Sequence, residues 1–189
     1  MKIEDGKGRG YIVAVDDENY LLTSCITQSE EHHANVNHQT CYNMTFQIAN
    51  VSGLSNPFLY IKNNYNYNLM FEGLTIWSNF PNDGDNHQYV EVTIEDTGTA
   101  LGGSSGTPVN LNAGSGKEAD VTCRYGNQVT GITKGRILER LYVASGGSSK
   151  SFNFDQDIIL PKNNTLCLYS NPGASGLKLE GTLDFYFHE

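Results

Sequence analysis

Basic side chains are scarce in this 189-residue chain: 12 Lys and Arg stand against 21 Asp and Glu, a formal net charge of −9 at pH 7. Neutralising nucleic-acid phosphates takes a cluster of Lys and Arg. The nearest thing to one, Lys134, Arg136 and Arg140, is interrupted by Glu139, so no nucleic-acid partner is expected. Long apolar runs are missing too. No stretch approaches the roughly 18 residues of a membrane span, and no charged, apolar and small-residue leader opens the sequence; neither a membrane partner nor export by a signal peptide is expected. The four cysteines, Cys25, Cys41, Cys123 and Cys167, form no C-x-x-C pair and have no His at ligand spacing. Free, half-buried thiols made in a reducing cytoplasm are the expectation.

What the chain does have is short runs of Val, Ile, Leu, Tyr and Phe, punctuated by Asn, Ser, Asp and 20 glycines. That is an all-β profile. Strand-like stretches fall near 42–49, 57–63, 67–78, 88–95, 109–112, 119–125, 129–132, 137–143, 151–154, 157–160, 165–170 and 177–187. Several alternate apolar and polar residues, as in Val90-Glu91-Val92-Thr93-Ile94 and Leu183-Asp184-Phe185-Tyr186-Phe187, the mark of a sheet with one face in a core and one in water. Their spacing predicts a jelly-roll-like β-sandwich over residues 41–189. Residues 1–40 read as an N-terminal arm: a glycine-punctuated leader, a hairpin of 11–15 and 20–26 around Asp16-Asp17-Glu18-Asn19, and a polar connector or helical turn from Gln28 to Gln39.

Motifs with chemical meaning are weak. Gly102-Gly103-Ser104-Ser105-Gly106 matches the nucleophile elbow in letters, but Thr107-Pro108-Val109 follows where a helix is required. Gly6-x-Gly8-x-Gly10 follows no strand and lacks the Gly-Lys-Ser/Thr of a phosphate loop. Asn82-Asp83-Gly84-Asp85-Asn86 gathers oxygen donors of the kind Ca²⁺ takes, without the full loop pattern or its closing Glu; an Asx-rich turn accounts for it. His32, His33 and His38 have no carboxylate or thiol at a matching interval. The expectation is no catalytic residues, no metal and no cofactor. The strongest binding signal is the aromatic stretch Tyr60, Tyr65, Tyr67, Phe71, Trp77 and Phe80. If Leu74 and Ile76 face the core, Trp77 faces out, towards a subunit or a ligand.

Three segments carry a resemblance. Ile3-Glu4-Asp5-Gly6-Lys7-Gly8-Arg9-Gly10-Tyr11-Ile12-Val13-Ala14-Val15-Asp16 with Tyr20-Leu21-Leu22, the run from Thr107 to Thr122, and Ile158 to Leu166 together resemble tailed-bacteriophage virion proteins that decorate or cement the head. The resemblance implies a non-enzymatic structural protein on the outer capsid surface of the virion, synthesised in the host cytoplasm, homotrimeric and bound to the major capsid protein. It also implies a clamp formed by the arm, with Ile3, Tyr11, Ile12, Val13, Val15, Leu21 and Leu22 as the capsid or subunit contacts. The four cysteines match nothing in that pattern. The rival expectation is a carbohydrate-binding β-sandwich, on a head fibre or another surface adhesin, using the aromatic stretch as a stacking platform. A hydrolase on a β scaffold ranks last, because no nucleophile, base and orienting group can be assembled.

Overall fold

The computed structural model describes residues 30–51, 53–79, 88–143, 147–171 and 177–188. Among these residues thirteen strands follow a short helical segment, Glu30–His33, that continues into a wider turn, Ala34–His38. They are β1 (Cys41–Ala49), β2 (Leu59–Asn63), β3 (Asn68–Ser78), β4 (Tyr89–Ile94), β5 (Thr97–Leu101), β6 (Ser104–Ser105), β7 (Val109–Asn110), β8 (Val121–Tyr125), β9 (Thr130–Thr133), β10 (Arg136–Tyr142), β11 (Ser149–Leu160), β12 (Thr165–Asn171) and β13 (Lys178–His188).

Strand pairing makes this a jelly roll. The front sheet runs β11-β3-β13-β1-β7 and the back sheet β10-β4-β12-β2-β8-β6. Pairing is antiparallel and nested: β1 lies against β13, β2 against β12, β3 against β11 and β4 against β10. One long folded hairpin is thus wound so that successive layers alternate between the sheets, which closes the apolar faces on each other.

Alternation along each strand fills the space between the sheets. Met44, Phe46 and Ile48 of β1, Leu74 and Ile76 of β3, and Leu183, Phe185 and Phe187 of β13 meet Leu59, Ile61, Val90, Val92, Leu166 and Leu168 in one buried cluster. Each such side chain contributes about 1.5–3 kcal/mol of transfer free energy. Gly181 is opposite Phe46 in the register, and a Cβ there would sit 2.6 Å from the Phe46 ring and 2.4 Å from the Thr75 carbonyl oxygen. Only glycine lets that ring lie across β13.

Most expected strands fall where the alternation places them, with three differences. The stretches 151–154 and 157–160 form one strand, β11, whose register on β3 shifts between Asn153 and Ile158. Strands β5 and β6 have no signal in the sequence, because Thr-Gly-Thr-Ala-Leu and Ser-Ser carry no period; they form by pairing with β9 and β8. Tyr186, on the polar side of its alternation, is fully buried, because Ala34 of the helical segment packs over it with Cys41 and Met70. A second cover lies behind the back sheet, where Ala100 and Ile132 of the β5–β9 ribbon pack on Tyr60, Val129, Cys167 and Tyr169.

Candidate functional site

The residues singled out in the sequence do not converge. Ile3, Tyr11, Ile12, Val13, Val15, Leu21 and Leu22 lie outside the described residues, as do Cys25, Phe80 and the Asn82–Asn86 loop. The aromatic stretch is split between environments. Tyr60 and Phe71 are buried, and Tyr65 packs edge-on against Phe187 and Tyr67 at 5.0 and 5.2 Å. Trp77 is half-buried on the outer face of the front sheet, with Leu74, Ile76 and Ser78 turned inward, and its indole N–H donates to the Gly147 carbonyl at 2.7 Å.

The other motifs resolve into local structure. Ser104 pairs with Tyr125 in an extended edge strand, so residues 102–110 do not make the strand-turn-helix of a nucleophile elbow. His33 and His38 stack edge to face at 4.9 Å, and among the described residues no three His, Cys, Asp or Glu side chains are grouped to hold a metal. Cys41, Cys123 and Cys167 are free and buried. Burial pushes the Cys41 and Cys123 thiols up to about 12, which makes them poor nucleophiles at neutral pH.

The surface feature that does stand out is the back-sheet edge at β10. Among the described strands it is paired on one side only, with β4. The Val143 N–H donates to the Gln88 carbonyl at 3.1 Å, so by alternation Arg140 and Tyr142 point their backbone groups away from β4, where the Tyr142 carbonyl accepts from Lys150 Nζ at 2.9 Å. A register shift between Ile137 and Glu139 accompanies two adjacent exposed apolar residues. Ile137 and Leu138 are each 47% exposed and Tyr142 is 50% exposed. Solitary exposed apolar residues need no explanation, but three on one open strand form a patch of the kind that meets another protein.

A charged network behind this edge holds it in place. Glu91 of β4 is buried, with Lys134 on one carboxylate oxygen and Arg140 Nε 2.9 Å from the other. Arg140 also lies over the Tyr89 ring at 5.2 Å, and Lys134 over the Tyr169 ring at 4.5 Å. Deeper in, both Asp96 carboxylate oxygens are 2.9 Å from the Thr93 hydroxyl. One of them also accepts from the Gly135 N–H at 3.0 Å and the Tyr169 hydroxyl at 3.2 Å. The bends by which the chain enters and leaves the β5–β9 ribbon lie at the same end of it and are therefore pinned to the back sheet. The sequence showed Glu91 on a polar face and Lys134, Arg136 and Arg140 as a diluted basic cluster; the missing knowledge was that the ribbon buries Glu91 between two of those cations.

Burial alone would raise the Glu91 carboxyl, but the hydrogen bonds and charges of Lys134 and Arg140 outweigh it and hold the group below its usual value. A carboxylate lowered in the folded state contributes stability above its unfolded value, near 4.3. That contribution is lost as pH falls through the lower folded value. Urea unfolding of the parent should therefore show a loss of stability below about pH 4 that Glu91→Gln lacks. Parallel curves for the two proteins would assign the acid loss to other groups.

No family model matches this chain, and no curated protein matches it significantly.

Proposed function

We propose that the chain is a structural virion protein that decorates or cements a phage capsid, binding the major capsid protein lattice on its outer surface as a homotrimer. The observation that carries this reading is the outer β10 edge, which among the described strands pairs only with β4 and exposes the Ile137, Leu138 and Tyr142 side chains. Tyr and Arg are enriched in protein-protein contacts, and Ile137 and Leu138 add exposed apolar surface beside Arg140 and Tyr142. Where that edge meets a different surface of the next copy, a rotation that closes gives a ring. The jelly roll supports the same reading, since it buries its core within one copy and leaves edges, loops and the arm for assembly. The arm residues Ile3, Tyr11, Ile12, Val13, Val15, Leu21 and Leu22 are assigned to the capsid or a neighbouring subunit, and three buried free thiols suit synthesis in the host cytoplasm.

The test joins light scattering to co-sedimentation with heads assembled from the major capsid protein of the same genome. A trimer that pellets with heads at saturating, fixed stoichiometry is the expected result. A monomer at tens of micromolar, roughly the range where weak assemblies still associate, that stays in the supernatant would overturn the proposal.

A further inference from the structure

The outer face of the front sheet carries an ordered array on the opposite sheet from the β10 edge. The registers of four adjacent strands align its side chains into cross-sheet rows. One row is Ser149, Trp77, Glu180 and Gln47; the next is Ser151, Thr75, Thr182 and Thr45; the third is Asn153, Gly73, Asp184 and Asn43. With strands about 4.8 Å apart and same-face residues about 6.8 Å apart along each strand, the array spans about 14 Å in each direction. One indole and a field of hydroxyls, amides and carboxylates make up this face.

Its geometry is held in place by its own contacts. The Gln47 amide nitrogen donates to Glu180 Oε1 at 2.6 Å, so the acceptors this pair can offer a ligand are Glu180 Oε2 and the single Gln47 amide oxygen. Thr75 and Ser151 hydroxyls are 2.9 Å apart. The indole is fixed by its bond to Gly147, a residue at φ +82° whose missing side chain leaves the ring edge uncovered on that side. A groove of about 480 Å³ opens here, lined by Thr45, Gln47, Trp77, Glu180 and Thr182 together with Phe46 and Tyr125. At the far end the helical segment covers the following row, Met70, Tyr186 and Cys41, so the platform is bounded.

We infer that this face is a binding site for a neutral oligosaccharide. A pyranose presents an apolar C–H face that stacks on an indole and equatorial hydroxyls that need paired donors and acceptors. Row one supplies the ring and the Gln47–Glu180 pair side by side, and row two supplies hydroxyls. The sign of charge selects among sugars: the three rows hold two carboxylates and no Lys or Arg, which repels sialylated, uronic or sulfated glycans. Burial and the nearby Glu31 carboxylate raise the Asp184 carboxyl above its usual range, and the cation of this face, Lys178, lies one row beyond Glu180, opposite Ala49. An open, hydrated groove gives weak single-site affinity, on the order of 1 mM, which several copies on one particle would multiply.

Trp77 is the sole tryptophan, so its fluorescence reports on the site directly. The full chain is titrated with cellohexaose, maltohexaose, laminarihexaose, chitohexaose and mannohexaose, with a sialylated and a sulfated oligosaccharide as charge controls. The expected result is a saturable change with at least one neutral sugar, none with the charged ones, and an affinity reduced about tenfold or more in Gln47→Ala and Glu180→Ala. Ile137→Lys, on the other sheet, should leave the titration unchanged while it impairs assembly, which separates this site from the proposed capsid contact. A flat response across the neutral panel to about 10 mM, or a response that persists in the Gln47→Ala and Glu180→Ala double variant, would overturn the assignment.

Discussion

If the arm docks on the capsid, deleting residues 1–26 should leave a folded, oligomeric body that is no longer retained on heads. The segment holds Tyr11, Ile12, Val13, Val15, Leu21, Leu22 and Ile26, too much apolar surface for a solvated tail, while an isolated two-stranded hairpin is marginal in water. At about 1.5–3 kcal/mol per buried side chain before ordering costs, its docking is large enough for the loss to be plain in a co-sedimentation assay. The truncation stops short of Ala34, which covers Tyr186 and Met70, and among the described residues the main core cluster draws on strands from β1 to β13. Light scattering of the truncated protein should therefore match the parent. Full occupancy on heads without the arm would remove its role as a clamp, and a truncated protein that fails to fold would make it part of the core.

Phe185→Ala should be the most damaging single substitution in the body, at about 3–5 kcal/mol. The ring is stacked on Tyr42 at 5.8 Å and tilted against Phe71 at 6.0 Å, so it joins β1, β3 and β13 at the centre of the front sheet. Its removal leaves a cavity that three strands must collapse to fill. A domain of ordinary stability has about 5–15 kcal/mol in total, so urea melts should show the variant largely unfolded at denaturant concentrations the parent tolerates. Tyr142→Ala, on the open edge, should stay within about 0.5 kcal/mol of the parent. Equal effects from the two would mean that β10 is as much a part of the core as β13.

The architecture was legible because the chain alternates where it must. Leu183, Phe185 and Phe187, or Val90 and Val92, announce a buried face through spacing alone, and Trp77 was placed outward by the same parity. Parity fails where a third layer is added. Tyr186 and Glu91 both sit at outward positions and are both buried, one beneath the helical segment and one beneath the β5–β9 ribbon. Neither cover has a period of its own: the ribbon is Thr- and Gly-rich and exists through pairing between residues far apart in the chain. The candidate sites were less legible still. Cross-sheet rows such as Trp77, Glu180 and Gln47 depend on register between strands separated by a hundred residues or more, which no local pattern encodes. The β10 patch was hidden for the opposite reason, since an apolar residue on an open edge looks in sequence like one in a core.

The nested pairing has a consequence for how the chain reaches its native state. Strand β13 sits between β3 and β1 and bonds to both, so the middle of the front sheet is vacant until the last strand arrives. Phe187 N–H meets the Thr40 carbonyl, a closure across nearly the whole body. Loop closures of that span come late and cost entropy before any contact compensates them, which places such topologies at the slow, milliseconds-to-seconds end of folding. During synthesis the chain cannot complete its core while residues 178–188 remain inside the ribosome. Until then β1 and β3 expose unpaired edges on both sides of the gap, and released chains at high concentration have each other's β13 as an available substitute.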